Sequence, residues 1–284
     1  MLDLPRSARL AAWGTGVLSA DVPLAAAVAA VLRDDEPHVV RWEGPALPGV
    51  RSVPDDVTTL LAALAECAAG PDGREGPGGP GGPGGLPGRL LLALPVPGDP
   101  RGLPGPAAVN VAALGAGECV VLEVGGGEQR WALVPEVVEF GSVLEPGAFV
   151  TWTVLEAAPR RAPDSSSVAE SERELRAALS TATAALASLD VARWREEAAD
   201  RIAAVRDGAL VADAVPAATS PRAMRVLQTA ARVLAIVDLA TEDDGAAITS
   251  LEATSRAAAL REVAAVARRA LVAAVNAHAE PARP

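Results

Sequence analysis

In the first half of the chain the pattern of hydrophobic and polar positions switches repeatedly between helical and strand periods. Apolar residues at helical spacing predict helices over 6–19, 22–32, 55–68 and 107–114. Apolar or alternating runs predict strands over 38–42, 89–94, 119–124, 130–134 and 149–155. Helices interspersed among these strands predict a mixed domain of the α+β or α/β class over residues 1–156.

The glycines at 125–127 separate two of these strands and predict a β-hairpin. Alternation in the first strand places Val120, Leu122 and Val124 on one face. Trp131 and Leu133 alternate in the same way, so we expect them to meet that face across the hairpin.

From residue 168 onward the apolar segments have the helical period. Leu175, Leu179 and Ala182 begin a stripe with alternating steps of four and three. Capping signals open helices at Ser167, Ser220 and Thr249, and a further amphipathic segment runs from Trp194 to about Gly208. Four such segments joined by short loops predict an all-α helical bundle over residues 168–279.

Two stretches of low apolar content separate these regions. Residues 70–88 are a glycine- and proline-rich run with a GGP repeat, which predicts a disordered insertion. A phosphate-binding loop is not predicted there, since no Lys-Ser or Lys-Thr pair follows the glycines. The prolines, serines and charges of 157–167 predict a linker between two domains.

The charged residues restrict the function classes that the chain can belong to. All 25 basic residues are arginines, which excludes Schiff-base and phosphate-loop chemistry that requires lysine. The formal net charge of −11 argues against a nucleic-acid partner, because binding phosphates requires a basic face. Residues 1–164 hold most of this imbalance, with 11 arginines against 20 carboxylates, and we interpret their acidic surface as favouring solubility.

The chain carries no signal for export or membrane insertion. Its start lacks a secretory signal pattern, and the charge-free stretches near it are far shorter than the roughly 20 apolar residues of a membrane span. Cys67 and Cys119 are expected to be reduced and buried. These features predict a cytoplasmic protein.

A candidate ligand site follows the strand predicted at 89–94. The loop 95–106 is rich in proline and glycine, and it carries Asp99 and Arg101, with Asn110 on the next helix. If the strand is central and parallel, this loop lies at its carboxyl end, where open α/β sheets bind ligands. Arg101 could then clamp a carboxylate or phosphate. In the alternative interpretation, Asp99 and Arg101 pair locally and the loop packs against the fold.

His38 is the second candidate, because three acidic residues precede it at 34–36. A histidine beside acids suggests a metal ligand or a general base, whereas acids in a turn usually face water. The other histidine, His278, lies near the end of the sequence, so no multi-histidine site is expected. Neither a Gly-x-Ser-x-Gly elbow nor a suitable pair of carboxylates is present. We therefore predict no catalytic residue, no metal and no cofactor.

Arginines on the last two predicted helices form the third candidate. Their spacing brings them towards common helix faces, which suggests docking onto an acidic protein surface, whereas in the alternative interpretation they are solvated and pair internally. The residues are Arg222, Arg225 and Arg232 on the earlier helix, with Arg261, Arg268 and Arg269 on the later one.

Three sequence segments carry a resemblance to a known group. They are PGDPRGLPGPAAVN at 97–110, ERELRAAL…ALASLDVARW at 172–194 and RRALVAAVN at 268–276. The chain resembles a family of actinobacterial proteins with no assigned function, and the resemblance implies no site residues. We expect a non-catalytic protein that acts through protein contacts of its helical bundle. The alternative is an anionic-metabolite binding protein, or an enzyme of unknown reaction, with its pocket at residues 95–110.

Overall fold

The computed structural model describes residues 2–48, 50, 52–69, 88–142, 145–159, 167–188, 205, 207–242 and 250–277. The chain divides into two compact units. The N-terminal unit is built mainly from Pro5–Asp164, and the C-terminal unit from Ser165–Ala214 and Ser220–Ala277. Within the described ranges, no helix combines the length and the apolar character that crossing a bilayer requires.

The N-terminal unit contains a five-stranded sheet. Its strands are β1 (Val39–Trp42), β2 (Gly88–Ala93), β3 (Cys119–Val124), β4 (Gln129–Gly141) and β5 (Pro146–Glu156). The order across the sheet is β1-β5-β4-β3-β2, in which β1 is parallel to β5 and the other neighbours are antiparallel. The helices are α1 (Arg6–Leu18), α2 (Leu24–Leu32), α3 (Val57–Ala69) and α4 (Ala107–Ala116).

Because side chains alternate along each strand, the sheet has two faces, and both contain buried side chains. One face carries large side chains, among them Leu122, Trp131 and Trp152, and it belongs to the side on which α1 packs against β2 and β3. On the other face, smaller residues such as Ala132 lie in a buried cluster with Val109 of α4. The predicted hairpin is confirmed, because Val120 pairs with Leu133 and Leu122 pairs with Trp131.

The premise of a central parallel strand at 89–94 is wrong. β2 lies at the edge of the sheet and runs antiparallel to β3. Its apolar run is buried because α1 packs on one face and the α4 cluster covers Ala93 on the other. Burial of both faces therefore arises here from helices rather than from a central position, and the loop after β2 does not lie at a switch point of a parallel sheet.

The described elements of the C-terminal unit are helical: α5 (Val168–Ser188), α6 (Pro221–Glu242) and α7 (Ser250–Asn276). The capping box is present, because Ser167 N–H donates to Glu170 Oε2 at 3.0 Å and Glu170 N–H donates to Ser167 Oγ at 3.3 Å. Arg256 of α7 is buried and donates to the carbonyl of Ala240 in the last turn of α6, where helix carbonyls lack intrahelical donors.

Three sequence predictions fall on residues that the structure does not describe. The glycine- and proline-rich run at 70–88 lies outside the described residues apart from Gly88, and the linker at 157–167 lies outside them over 160–166. Most of the helix expected from Trp194 to Gly208 lies outside them as well. These predictions remain as stated.

Candidate functional site

The structure places the two charges of the 95–106 loop in contact with each other. Arg101 Nε lies 3.1 Å from Asp99 Oδ1, and the Arg101 side chain is 61% exposed. Val96 and Asp99 also exchange backbone hydrogen bonds of 3.2 and 2.9 Å, which closes a tight turn. Because Asp99 already neutralises Arg101, the pair presents little net charge to an anionic ligand.

Asn110 supports the same loop from α4. Its side-chain Oδ1 accepts a hydrogen bond of 2.8 Å from the backbone N–H of Gly105, five residues earlier in the chain. A side-chain amide that holds a backbone N–H in this way fixes the start of a helix. In this structure the side-chain amide of Asn110 therefore positions the backbone of the loop at Gly105.

Asn110→Ala is expected to lower the free energy of unfolding of the N-terminal unit by about 1 kcal/mol, because Gly105 N–H loses its acceptor. Asn110→Asp is the matched control, since a carboxylate oxygen still accepts that hydrogen bond. Urea unfolding followed by tryptophan fluorescence measures both variants. Equal destabilisation by alanine and aspartate would show that the hydrogen bond to Gly105 contributes nothing.

His38 is fully buried and both ring nitrogens are engaged. Nδ1 accepts a hydrogen bond of 3.1 Å from the indole Nε1–H of Trp152, and Nε2 lies 3.3 Å from Asp35 Oδ2. An indole nitrogen can only donate, so Nδ1 must be unprotonated and the proton of the neutral ring resides on Nε2. The contacts thus fix both the tautomer and the charge of His38.

Asp35 joins this histidine to α1. Arg6 forms two hydrogen bonds to the Asp35 carboxylate, at 2.8 and 2.7 Å, and Arg9 approaches it at 3.4 Å. Burial raises the pKa of Asp35, but the hydrogen bonds from Arg6 and His38 and the nearby charges outweigh it and leave that pKa lowered. Burial lowers the pKa of His38, against the opposing effect of Asp35. The cluster is an ionised carboxylate beside a neutral imidazole.

The structure does not bring the four predicted ligand residues together. His38 directly precedes β1 at one edge of the sheet, whereas Asp99 and Arg101 follow β2 at the opposite edge. Asn110 lies on α4, which packs on the other face of the sheet from Trp152. Within the described residues, no group of three or more His, Cys, Asp or Glu side chains is arranged to hold a metal ion.

Among the candidate arginines, Arg222 and Arg232 donate hydrogen bonds inside the C-terminal unit. Arg222 donates to Glu172 Oε2 on α5 at 2.8 Å, which lowers the pKa of Glu172. Arg232 donates to the carbonyl of Gly208 at 3.0 Å. Arg225 and Arg261 are exposed, while Arg268 and Arg269 are half-buried.

A further feature, which the sequence analysis did not identify, is the long hairpin of β4 and β5. The two strands pair continuously from Trp131↔Glu156 to Gly141↔Pro146. β3 pairs with β4 only as far as Leu133, so among the described residues no strand lines the outer edge of β4 beyond that point. We call the part that continues past β3, residues 134–142 and 145–151, the hairpin arm.

The hairpin arm carries exposed apolar side chains on one face. Val138 lies directly opposite Phe149, and these residues are 54% and 55% exposed. The ring of Phe140 stacks on that of Phe149 with centroids 4.5 Å apart, and it lies over Gly147, whose added Cβ would fall 2.5 Å from the ring. Val39 of β1 is 52% exposed on the same face. We call these four side chains the open apolar face, and it holds both phenylalanines of the sequence.

Comparisons with known proteins give one result for each half of the chain. A family model described as the N-terminal domain of the Rv1486c-like protein matches residues 7–166, and the model of its C-terminal domain matches residues 169–272. No curated protein and no solved structure matches the chain.

Proposed function

The chain belongs to the Rv1486c-like protein family, and we propose that it acts without catalysis by binding another protein chain. The observation that carries this proposal is the open apolar face. Val39, Val138, Phe140 and Phe149 are each more than two-fifths exposed on one side of a well-formed sheet. A contiguous exposed patch that contains aromatic rings is typical of a protein-interaction surface.

The candidate catalytic group supports the same proposal by its geometry. His38 has no exposed surface, and its acceptor nitrogen already holds the Trp152 N–H. A general base must reach the proton that it removes, either directly or through one water. His38 therefore contributes to the packing of α1, α2 and the sheet rather than to a reaction.

We propose that the C-terminal unit provides a second, weaker contact with the same partner. Its described helices α5, α6 and α7 contact one another, and Arg225 and Arg261, exposed on α6 and α7, offer a second contact for a partner with an acidic surface. The cytoplasm is the proposed location, supported by Cys67 and Cys119, which are both buried free thiols. The alternative of an anionic-metabolite site at 95–110 is less favoured, because Arg101 is paired with Asp99.

Cross-linking capture of the full chain from its source cells tests the proposal. We expect a reproducible partner whose recovery falls about tenfold in the double variant Val138→Thr/Phe149→Thr. Threonine keeps the preference for a strand while removing apolar surface. Val53→Thr is the matched control, because Val53 is 53% exposed but lies outside the arm.

The charge reversals Arg225→Glu and Arg261→Glu examine the second contact in the same assay. A partner lost with either surface supports a binding function. If no captured protein changes in yield with any of these variants, the proposed function is wrong.

A further inference from the structure

We infer that the hairpin arm receives a basic, extended segment of another protein, which adds a strand to the outer edge of β4. This inference rests on the proposed function and deepens it by naming the chemistry of the partner. Three features of the arm carry it: the direction of its backbone groups, its charge, and the alternation of its side chains.

The first feature is the hydrogen-bonding capacity of the outer edge of β4 beyond Leu133, which no strand among the described residues uses. Arg130 C=O accepts from Ala157 N–H, and Ser142 and Glu145 exchange backbone bonds, so even-numbered residues of β4 face β5. Backbone groups alternate in direction along a strand, which turns the N–H and C=O groups of Val137 and Glu139 away from β5. Such an edge can accept a further strand, as in the binding of extended peptides to sheet edges.

Pro135 sets the inner limit of this edge. Pro135 comes two residues after Leu133, the last residue of β4 that pairs with β3. Like the other odd-numbered residues of β4, it directs its backbone groups away from β5. Because proline has no N–H, the edge nearest β3 cannot donate. The added strand is therefore expected to bond most fully between Val137 and Gly141, where the arm continues past β3.

The second feature is charge, which selects the partner. Residues 131–159 contain four glutamates and no arginine or histidine. A second copy of this chain would bring the same acidic arm against it, and each chain carries a formal net charge of −11. Like charges directly opposite each other across a sheet are destabilising, whereas arginine or lysine opposite Glu139 is favourable. Charge complementarity thus favours a basic segment over a second copy.

The third feature is the alternation of side chains along β4. Between Val137 and Gly141, Val138 and Phe140 lie on the open apolar face with Phe149, while Glu139 points to the opposite side. Glu136 shares the face of Val138 but lies closer to Pro135, before this stretch begins. An added strand extends both faces, so its residues next to the open apolar face are apolar and those next to Glu139 are basic. The recognised segment therefore alternates basic and apolar residues.

The peptide acetyl-RIRVRIR-amide is the probe, and the full chain is the receptor. Titration followed by ¹H–¹⁵N NMR is expected to shift the amides of Val137, Glu139 and Gly141. Val138→Thr/Phe149→Thr is expected to weaken binding about tenfold, and Val53→Thr to leave it unchanged. Glu139→Pro removes an outward N–H and is expected to abolish edge pairing, whereas Glu139→Gln keeps the N–H and weakens binding mainly at low salt.

A peptide of the same sequence with every backbone nitrogen methylated separates strand addition from general electrostatic attraction. It carries the same charge but has no backbone N–H to donate to the edge of β4 along either of its own edges. Equal binding of the two peptides, or shifts that avoid the arm, would overturn the inference. Sedimentation that shows a dimer disrupted by Val138→Thr/Phe149→Thr would also overturn it, in favour of a second copy. These outcomes leave the proposed function standing, because cross-linking capture tests that function separately.

Discussion

Replacing Glu123 by glutamine is expected to lower the free energy of unfolding of the N-terminal unit by about 3 kcal/mol. Glu123 lies in register between Arg89 of β2 and Arg130 of β4, and it is 2% exposed. Its Oε2 lies 2.8 Å from Arg89 Nε, and its Oε1 lies 3.0 Å from Arg130 Nε. Glutamine keeps the shape of the side chain but removes the negative charge that Glu123 places beside both guanidinium groups.

The magnitude is set mainly by Arg130, whose side chain is 10% exposed, since that of Arg89 is 24% exposed and can turn towards water. Urea unfolding followed by tryptophan fluorescence suits this measurement, because four of the five tryptophans precede residue 153. Glu136→Gln, an exposed position on β4, is the matched control and is expected to change stability by no more than about 0.5 kcal/mol.

The double variant Glu123→Leu/Arg130→Leu separates charge pairing from packing. Removing Arg130 together with Glu123 leaves no buried guanidinium at that position without its carboxylate, and Arg89 is exposed enough to turn towards water, so this variant is expected to be more stable than Glu123→Gln alone. If Glu123→Gln and Glu136→Gln have equal effects, the buried carboxylate does not stabilise the sheet.

The elements that the sequence predicted well are those with a strong local period. The β3–β4 hairpin followed from strict alternation, and the pairing of Leu122 with Trp131 confirms the face assignments. α6 followed from Ser220 and Pro221, and Ser220 Oγ accepts from Ala223 N–H as a helix cap does. In both cases the signal lies within a few residues of the feature that it predicts.

The hairpin arm escaped prediction because its local signals resemble those of a strand end. Pro135 follows the alternating run, and Glu136 and Glu139 interrupt the apolar residues beyond it. A proline usually ends a strand, but it is tolerated where its missing N–H would face an open edge. No described strand pairs with that edge beyond Leu133, where the pairing with β3 ends, and this is a property of the sheet order rather than of residues 134–141.

The position of His38 could not be derived from its neighbours in sequence. The acids at 34–36 make His38 a candidate site residue, and Asp35 lies 3.3 Å from its Nε2 atom. Its other partner, Trp152, is 114 residues away and reaches it through the parallel pairing of β1 with β5. Only that long-range contact shows that the Nδ1 atom of the buried ring accepts a hydrogen bond from Trp152.

Acidification from pH 7.5 to pH 5 is expected to destabilise the N-terminal unit through His38. Burial lowers the pKa of folded His38 below its ordinary value, so between the two pKa values the unfolded chain binds more protons than the folded chain. The free energy of unfolding therefore falls as the pH drops below about 6.5. Asp35 does not contribute in this window, because its lowered pKa confines its loss of stabilisation to more acidic pH.

Trp152→Phe is expected to reduce this pH dependence as well as the stability. At pH 7.5 the variant loses part of a fully buried ring and leaves His38 Nδ1 without a donor, which costs about 3 kcal/mol. In the wild type a proton on Nδ1 would face the Trp152 N–H, donor against donor. The variant has no N–H at that position, so protonation of Nδ1 costs less free energy in the variant than in the wild type. The difference in stability between the two proteins is therefore expected to narrow as the pH falls. Asp35, Arg6 and Arg9 are the same in both proteins.

Trp131→Phe is the matched control for this comparison. Trp131 is also buried, at 1% exposure, and its Nε1–H donates to the carbonyl of Pro45 at 2.8 Å, an acceptor that does not titrate. Its replacement is expected to cost a similar free energy at pH 7.5 and to leave the pH dependence of the wild type unchanged. Urea unfolding at pH 7.5, 6.5, 5.8 and 5.0 measures all three proteins. Parallel curves for the wild type and Trp152→Phe would show that the bond to His38 does not control its titration.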